Sequence, residues 1–192
     1  MIVALAIGLA LVIQAYLVKP FQIPSGSMEP TLTFHPPQRV LVSRFLYHFE
    51  DPEIGDIVVF HPPAGSELGS SQECGVEHSP EQPCAEPTPE MSDQNFIKRI
   101  VAGPGDRLRV EDGVPIVNGQ PIEQDYETKP CPSSESECNL PDEITIPADH
   151  YFMMGDNRGM SDDSRFWGPV PRDWIIGQAF ATYWPPDRIG IF

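Results

Sequence analysis

The first eighteen residues, MIVALAIGLALVIQAYLV, are uncharged and apolar except for Gln14. Beyond them no stretch of useful length repeats its apolar positions at helical spacing. Short segments with strand character follow instead. Lys19–Leu32 (KPFQIPSGSMEPTL) is extended, because Pro20, Pro24 and Pro30 bias the residues before them away from helix. Arg39–Phe45 alternates, and Ile57–His61 is a continuous apolar run entered from Gly55-Asp56 and stopped by Pro62-Pro63. Phe96–Val101 leads to the turn Gly103-Pro104-Gly105-Asp106, after which Arg107–Glu111 alternates again. Asn118-Gly119, between Ile116-Val117 and Ile122, marks a hairpin whose tight turn needs positive φ values. Ile144–Ile146, Tyr151–Met154 and Ile175–Trp184 complete the set. The pattern predicts a mostly β domain over 19–192, a coiled antiparallel sheet or barrel-like fold without internal repeats, carried by one N-terminal transmembrane helix over 1–18.

At about 1.5 Å per residue the apolar run spans roughly 27 Å, just enough for a bilayer core. Tyr16 and Lys19 stand where an interfacial anchor belongs. A buried core helix is the bland reading, and a cleavable signal peptide is the other. The second lacks a basic n-region and a small-x-small site at the end of the run. An uncleaved anchor is the expectation.

A length of 192 residues fits about one domain. Twelve basic against 28 acidic residues, net −16, exclude a phosphate-seeking nucleic-acid binder. Hydrophobic residues at 40% exclude wholesale disorder, and 23 prolines oppose a bundle of long helices. The charge is concentrated. Residues 64–94 hold seven acids and no Lys or Arg, and 123–143 hold seven against Lys129, so −13 of the −16 lies in two acidic inserted loops. The first is rich in Ser, Glu, Pro and Gly, which predicts a mobile surface loop whose removal between Ser66 and Pro89 leaves the chemistry intact. All four cysteines, Cys74, Cys84, Cys131 and Cys138, lie in these two segments. Their spacing is not that of a zinc site, and an even count in polar loops predicts two disulfides in an oxidising space outside the cytoplasm. Pairing within each segment and pairing between the segments both remain open.

Three clusters could carry chemistry. Ser25-Gly26-Ser27 is a weak signal alone, but Ile23, Met28 and Leu32 around it are apolar enough to hold it against the domain. None of His35, His48, His61, His78 and His150 has a recognisable catalytic setting, and the G-x-S-x-G elbow is absent. Lys98 interrupts the run Phe96–Val101, where alternation sends Lys98 and Arg99 to opposite faces and one of the two inward. Burial lowers a lysine pKa, as a lysine base requires, although Lys98 taken alone reads better as snorkelling or paired with an acid. Gly155–Arg165 (GDNRGMSDDSR) is a dense polar loop; its two arginines oppose a metal site, and EF-hand spacing is not met.

Together the segments resemble the type I signal peptidases, bacterial leader peptidases that use a serine-lysine dyad. The resemblance rests on Ser25–Leu32, on Ile97-Lys98-Arg99-Ile100-Val101 leading to Gly103–Asp106, and on Gly155-Asp156-Asn157-Arg158 continuing to Ser161, Asp163, Ser164 and Arg165. Gly55-Asp56-Ile57-Val58 resembles a fourth, non-catalytic box. The four occur in the family's order and leave only the two acidic segments unmatched. The resemblance implies Ser27 as nucleophile, Lys98 as general base, and Ser25 with the Ser27 amide as oxyanion hole. It implies Ser161 as the hydroxyl that orients the lysine, Asp163 and Arg165 as a bracing ion pair, and Ile23 and Ile97 as walls of small substrate pockets. Gly159-Met160 falls where the family more often carries polar residues such as Asn, which should loosen local hydrogen bonding.

The implied activity is a membrane-bound serine endopeptidase that removes N-terminal signal peptides after small-x-small sites. It would sit in the bacterial cytoplasmic membrane with its catalytic domain on the extracytoplasmic side. Preproteins and the lipid bilayer are the expected partners of a monomeric chain, with no nucleic acid, cofactor or metal. Two competitors are a self-cleaving regulator of the SOS-repressor type and a catalytically silent tethered β domain that binds through its acidic loops. The first would carry a cytoplasmic partner domain and its own cleavage site; the second would tolerate replacement of Ser27 and Lys98.

Overall fold

A computed structural model describes residues 17–66, 74–122, 126–131 and 136–192. The anchor assigned to 1–18 therefore lies outside the described residues except for Leu17 and Val18. Among the described residues no helix is long and apolar enough to cross a membrane.

Among the described residues twelve strands form two antiparallel sheets. They are β1 (Val18–Gln22), β2 (Arg39–Ser43), β3 (Ile57–Phe60), β4 (Phe96–Ala102), β5 (Arg107–Glu111), β6 (Val114–Val117), β7 (Gln120–Pro121), β8 (Leu140–Thr145), β9 (His150–Met154), β10 (Val170–Pro171), β11 (Ile175–Trp184) and β12 (Gly190–Ile191). The large sheet runs β1-β2-β11-β3-β4-β9-β10 with β12 added to β11, and the small one runs β7-β6-β5-β8. Register shifts interrupt β11 against both β2 and β3, and β4 against β9. Such bulges bend a strand and raise its twist, so the large sheet curls. One short helix, α1 (Ser164–Trp167), follows β9.

The continuous apolar run of β3 has a simple cause: both faces of the strand are covered. Ile57 and Val59 pack with Val40, Val42 and Ile97 and with Ile23, Met28 and Leu32 from the segment after β1. Val58 and Phe60 pack with Ile100, Met153, Trp167 and Val170 on the other side. A third cluster joins Val101, Ala102, Phe152 and Met154 to Leu108, Val110, Leu140 and Ile144 of the small sheet. Met28 and Leu32 are wholly buried, and each contributes about 1.5–3 kcal/mol to seating the chain around Ser27.

The mostly β, antiparallel expectation holds, and the Asn118-Gly119 turn has positive φ at both residues (53° and 81°). The extended chain expected from Lys19 onward begins as a paired strand, β1, despite Pro20. It lies at the edge of the sheet and pairs only with β2, where a missing amide is tolerated. The cysteines pair within their own segments, Cys74 with Cys84 and Cys131 with Cys138.

The first acidic loop differs from the expected mobile strand of solvent-borne chain. Residues 67–73 lie outside the described residues, but Cys84 is fully buried and Ala85 packs on the third cluster. The Cys84 amide donates to the Arg165 carbonyl (3.1 Å), the Ala64 amide to Glu90, and Thr88 Oγ1 to Ala64. Low apolar content misled here, because the loop is held by backbone hydrogen bonds and a disulfide rather than by large side chains. Deleting Ser66–Pro89 is expected to lower stability by about 1–3 kcal/mol and to reduce cleavage, because the buried Arg165 carbonyl loses the Cys84 amide and the third cluster loses Ala85. Thermal unfolding and a cleavage assay on the deletion variant check this.

Candidate active site

Ser27 sits in a single 3-10 turn, Gly26–Met28, entered from an extended Ser25. The turn cannot drift. Before it, the Ile23 amide donates to the Gln38 carbonyl; after it, the Leu32 amide donates to Met28, and the Thr33 amide to Gln38 Oε1. Thr31 Oγ1 donates to Asp156 Oδ2 at 2.6 Å. Ser27 is 7% exposed, and Ser25 Oγ donates to Ser27 Oγ at 3.3 Å. Ile23 and Ile97 line one small pocket with Phe21, Val59 and Phe96. A larger surface cavity bordered by Arg44, Tyr47, His48, His61 and Arg172 contains none of these residues.

Lys98 and Arg99 are both buried, although alternation required only one to be, because β4 is covered on both faces. Arg99 is matched to a partner: Nε and Nη2 donate to Asp156 Oδ1 and Oδ2 (2.9 and 2.8 Å), Nη1 donates to the Gly55 carbonyl, and the Tyr126 ring stacks on the guanidinium at 3.6 Å. Lys98 has no such partner. Burial disfavours its ammonium and the Arg165 guanidinium repels it. Asp163, Asp162 and Asp156 pull the other way without restoring the balance, and the pKa falls to about 8.

The loop after β9 brings the two together. Arg99 pairs with Met154, so the next residue, Gly155, falls beside Lys98. A Cβ on Gly155 would lie inside contact distance of both Ser161 Oγ and the Ser27 carbonyl oxygen. The Asn157 amide donates to that same Ser27 carbonyl at 3.0 Å. Ser27, Gly155, Ser161 and Lys98 thus share one buried spot. Ser161 Oγ is buried without a hydrogen-bond partner, and among the described residues no hydrogen bond joins Lys98 Nζ to Ser27 or Ser161. Catalytic bonds are often loose until substrate closes the site.

Asp163 and Arg165 form a fully buried ion pair at 2.8 Å. Burial alone would raise the Asp163 carboxyl, but Arg165, Lys98 and the Gly155 amide hold it below the usual carboxylate range. Arg165 also donates to the carbonyls of Arg158, Ser161 and Glu137 and to Cys131 Sγ. Met160 points into solvent, and its amide still donates to the Asn157 carbonyl. The arrangement can accept a proton on a buried lysine whose pKa burial brings down to about 8. No group of three His, Cys, Asp or Glu among the described residues could hold a metal ion. The Arg99–Asp156–Thr31 network and the Asn157 contacts carried no assigned role in the sequence, where their partners are 57, 125 and 131 residues apart.

Comparison with known proteins is consistent from end to end. Residues 1–184 match the family described as signal peptidase, peptidase S26. The chain is 36% identical over 192 residues to a signal peptidase I of Leptolyngbya laminosa, covering 98% of this chain and 79% of that one. It is 36% identical over 190 residues to a probable signal peptidase I-1 of Synechocystis sp., covering 96% and 81%. A thylakoidal processing peptidase 1 of Arabidopsis thaliana is 35% identical over 96% of this chain and 47% of its own.

Gly155→Ala tests the crowding at this spot. The methyl group must displace Ser161 or the Ser27 carbonyl, so cleavage is expected to fall by about tenfold or more while stability drops by about 1–3 kcal/mol. Activity equal to wild type in a folded variant would show that these groups do not need to meet.

Proposed function

This chain belongs to the signal peptidases of peptidase family S26, and we propose that it removes signal peptides with Ser27 as nucleophile and Lys98 as general base. The observation that supports this reading is the burial of Lys98 opposite Gly155, the residue that crowds against the Ser27 carbonyl and Ser161 Oγ, and burial brings the lysine pKa down to about 8. At the reference pKa of ~10.4 only about 1 lysine in 2,500 is neutral at pH 7, and at about 8 roughly 1 in 10 is.

Neutral Lys98 takes the Ser27 Oγ proton as Oγ bonds to the scissile carbonyl carbon, and the carbonyl electron pair moves onto oxygen. The Ser25 hydroxyl and the Ser27 N–H donate to that oxyanion, each such donor being worth about 3–4 kcal/mol. When the tetrahedral species collapses, the C–N bond breaks and the leaving amine takes the proton from Lys98. Water, deprotonated by Lys98, then attacks the acyl ester and returns Ser27. Ser161 steadies the lysine, and Asp163 with Arg165 braces the loop that carries it.

The small pocket at Ile23 and Ile97 suits short side chains, which supports cleavage after small-x-small sites. The two disulfides favour an extracytoplasmic domain, and the apolar run at 1–18 favours a membrane tether. The preprotein and the bilayer are the partners of a monomeric chain; the specific membrane proposed is the bacterial cytoplasmic one.

The test incubates detergent-solubilised protein with a secretory preprotein. Ser27→Ala and Lys98→Ala are each expected to abolish cleavage, and cleavage after the small-x-small site that survives either change would sink the dyad. The pH profile follows from the sign of the shift. Only neutral Lys98 works, so kcat/KM should fall about tenfold per unit below pH about 8 and level off above it. Chelators should leave the rate unchanged.

A further inference from the structure

Asn157 is 5% exposed and makes two bonds to the segment that carries Ser27. Its backbone N–H donates to the Ser27 carbonyl at 3.0 Å, and its side-chain Nδ2 donates to the Gly26 carbonyl at 3.1 Å. Two successive carbonyls, one on each side of Ser27, are therefore held by one residue. The side-chain orientation is settled by chemistry: a carbonyl only accepts, so the amide nitrogen and not its oxygen must face Gly26.

The Gly26 carbonyl and the Ser27 N–H belong to one planar trans peptide unit. Fixing where the carbonyl points fixes where the N–H points. That restraint is needed at this place. A Cβ on Gly26 would lie 2.9 Å from the Phe34 ring, so glycine is what fits, and a peptide beside glycine turns over most easily. A half-turn would aim the carbonyl, rather than the N–H, at the developing oxyanion. The Glu29 amide also donates to the Gly26 carbonyl (3.1 Å), but Glu29 belongs to the same turn and moves with it. Asn157 belongs to a different part of the chain, itself fixed through the Lys129–Asp156, Arg158–Lys129 and Met160–Asn157 backbone bonds.

We infer that Asn157 is the positioning residue of the oxyanion hole: its side-chain amide locks the Gly26–Ser27 peptide with the N–H turned toward the reacting carbonyl. The inference rests on Ser27 being the nucleophile. It sets Asn157 apart from Ser161 and Asp163, which act on the lysine side of the site.

The experiment compares wild type, Asn157→Ala, Asn157→Asp and Ser27→Ala with a preprotein substrate across pH, and records thermal unfolding. Aspartate keeps the shape of asparagine but has no N–H to donate, so both Asn157 variants should lose about 10–100-fold in kcat. KM should stay within about twofold and the acid limb of the profile should not move. A peptide aldehyde, whose Ser27 adduct is tetrahedral, should lose affinity in parallel with kcat, while an otherwise identical peptide with a reduced scissile bond should not. The inference is overturned if both variants keep kcat within about twofold, if KM or the acid limb moves along with kcat, or if both variants unfold. If Ser27→Ala retains cleavage, the reading of the whole site falls, and that result is separable from the others.

Discussion

Burying a lysine without giving it a matched carboxylate is the constraint on which this site depends. An ammonium taken out of water is costly, and the usual relief is an ion pair. Here the carboxylate that acts on it most strongly, Asp163, already holds Arg165. Its charge is largely spent on the guanidinium, and Arg165 in turn repels the Lys98 ammonium. An Asp163 without Arg165 would restore the lysine to its charged form; an Arg165 without Asp163 would leave a buried cation with no partner. The pair must be present together for Lys98 to stay poised, and this gives the brace an electrostatic purpose beyond rigidity.

Arg165 explains why both acidic loops are folded where they are. The first reaches it through the Cys84 amide on the Arg165 carbonyl, and the second through the Glu137 carbonyl and Cys131 Sγ on the guanidinium. Each loop closes on a disulfide just where it touches this residue. The second loop also reaches Arg158, since the Gly113 amide donates to the Cys138 carbonyl and the Gly113 carbonyl accepts from Arg158 Nη1. Most of the formal charge of −16 lies in these segments, yet the hydrogen-bond acceptors they give the buried guanidinium are the neutral Glu137 carbonyl and Cys131 Sγ.

Local pattern made the strands, the Asn118-Gly119 turn and the three polar clusters legible, because each depends on periodicity or on the φ preference of one or two residues. What covers a strand is not local. β4 carries two cations inside an apolar run, which fits one inward and one outward as well as two enclosed, so nothing in Phe96–Val101 tells that both Lys98 and Arg99 are buried. The packed half of the first acidic loop was hidden for a related reason. It buries a disulfide and main-chain groups, and composition weighs side chains only. Asn157 lies inside the polar loop Gly155–Arg165, but its bonds run to carbonyls of Gly26 and Ser27, and backbone acceptors look alike at every position of a sequence.

The neighbours Lys98 and Arg99 carry the same formal charge, differ by one position, and are not interchangeable. An arginine keeps its proton at any pH a protein meets, presents a planar fork, and satisfies a carboxylate with two parallel bonds. Arg99 does this with Asp156, and the same Asp156 accepts from Thr31 on the Ser27 segment while its own carbonyl accepts from Lys129. A permanent charge therefore ties the Ser27 segment, β4 and the loop after β9 into one body. A lysine at 99 would lose the fork, and an arginine at 98 could never offer a neutral base. The alternation of the strand separates the two functions by face. The charge on Arg99 holds the framework, and Lys98, on the other face, has no ion-pair partner among the described residues.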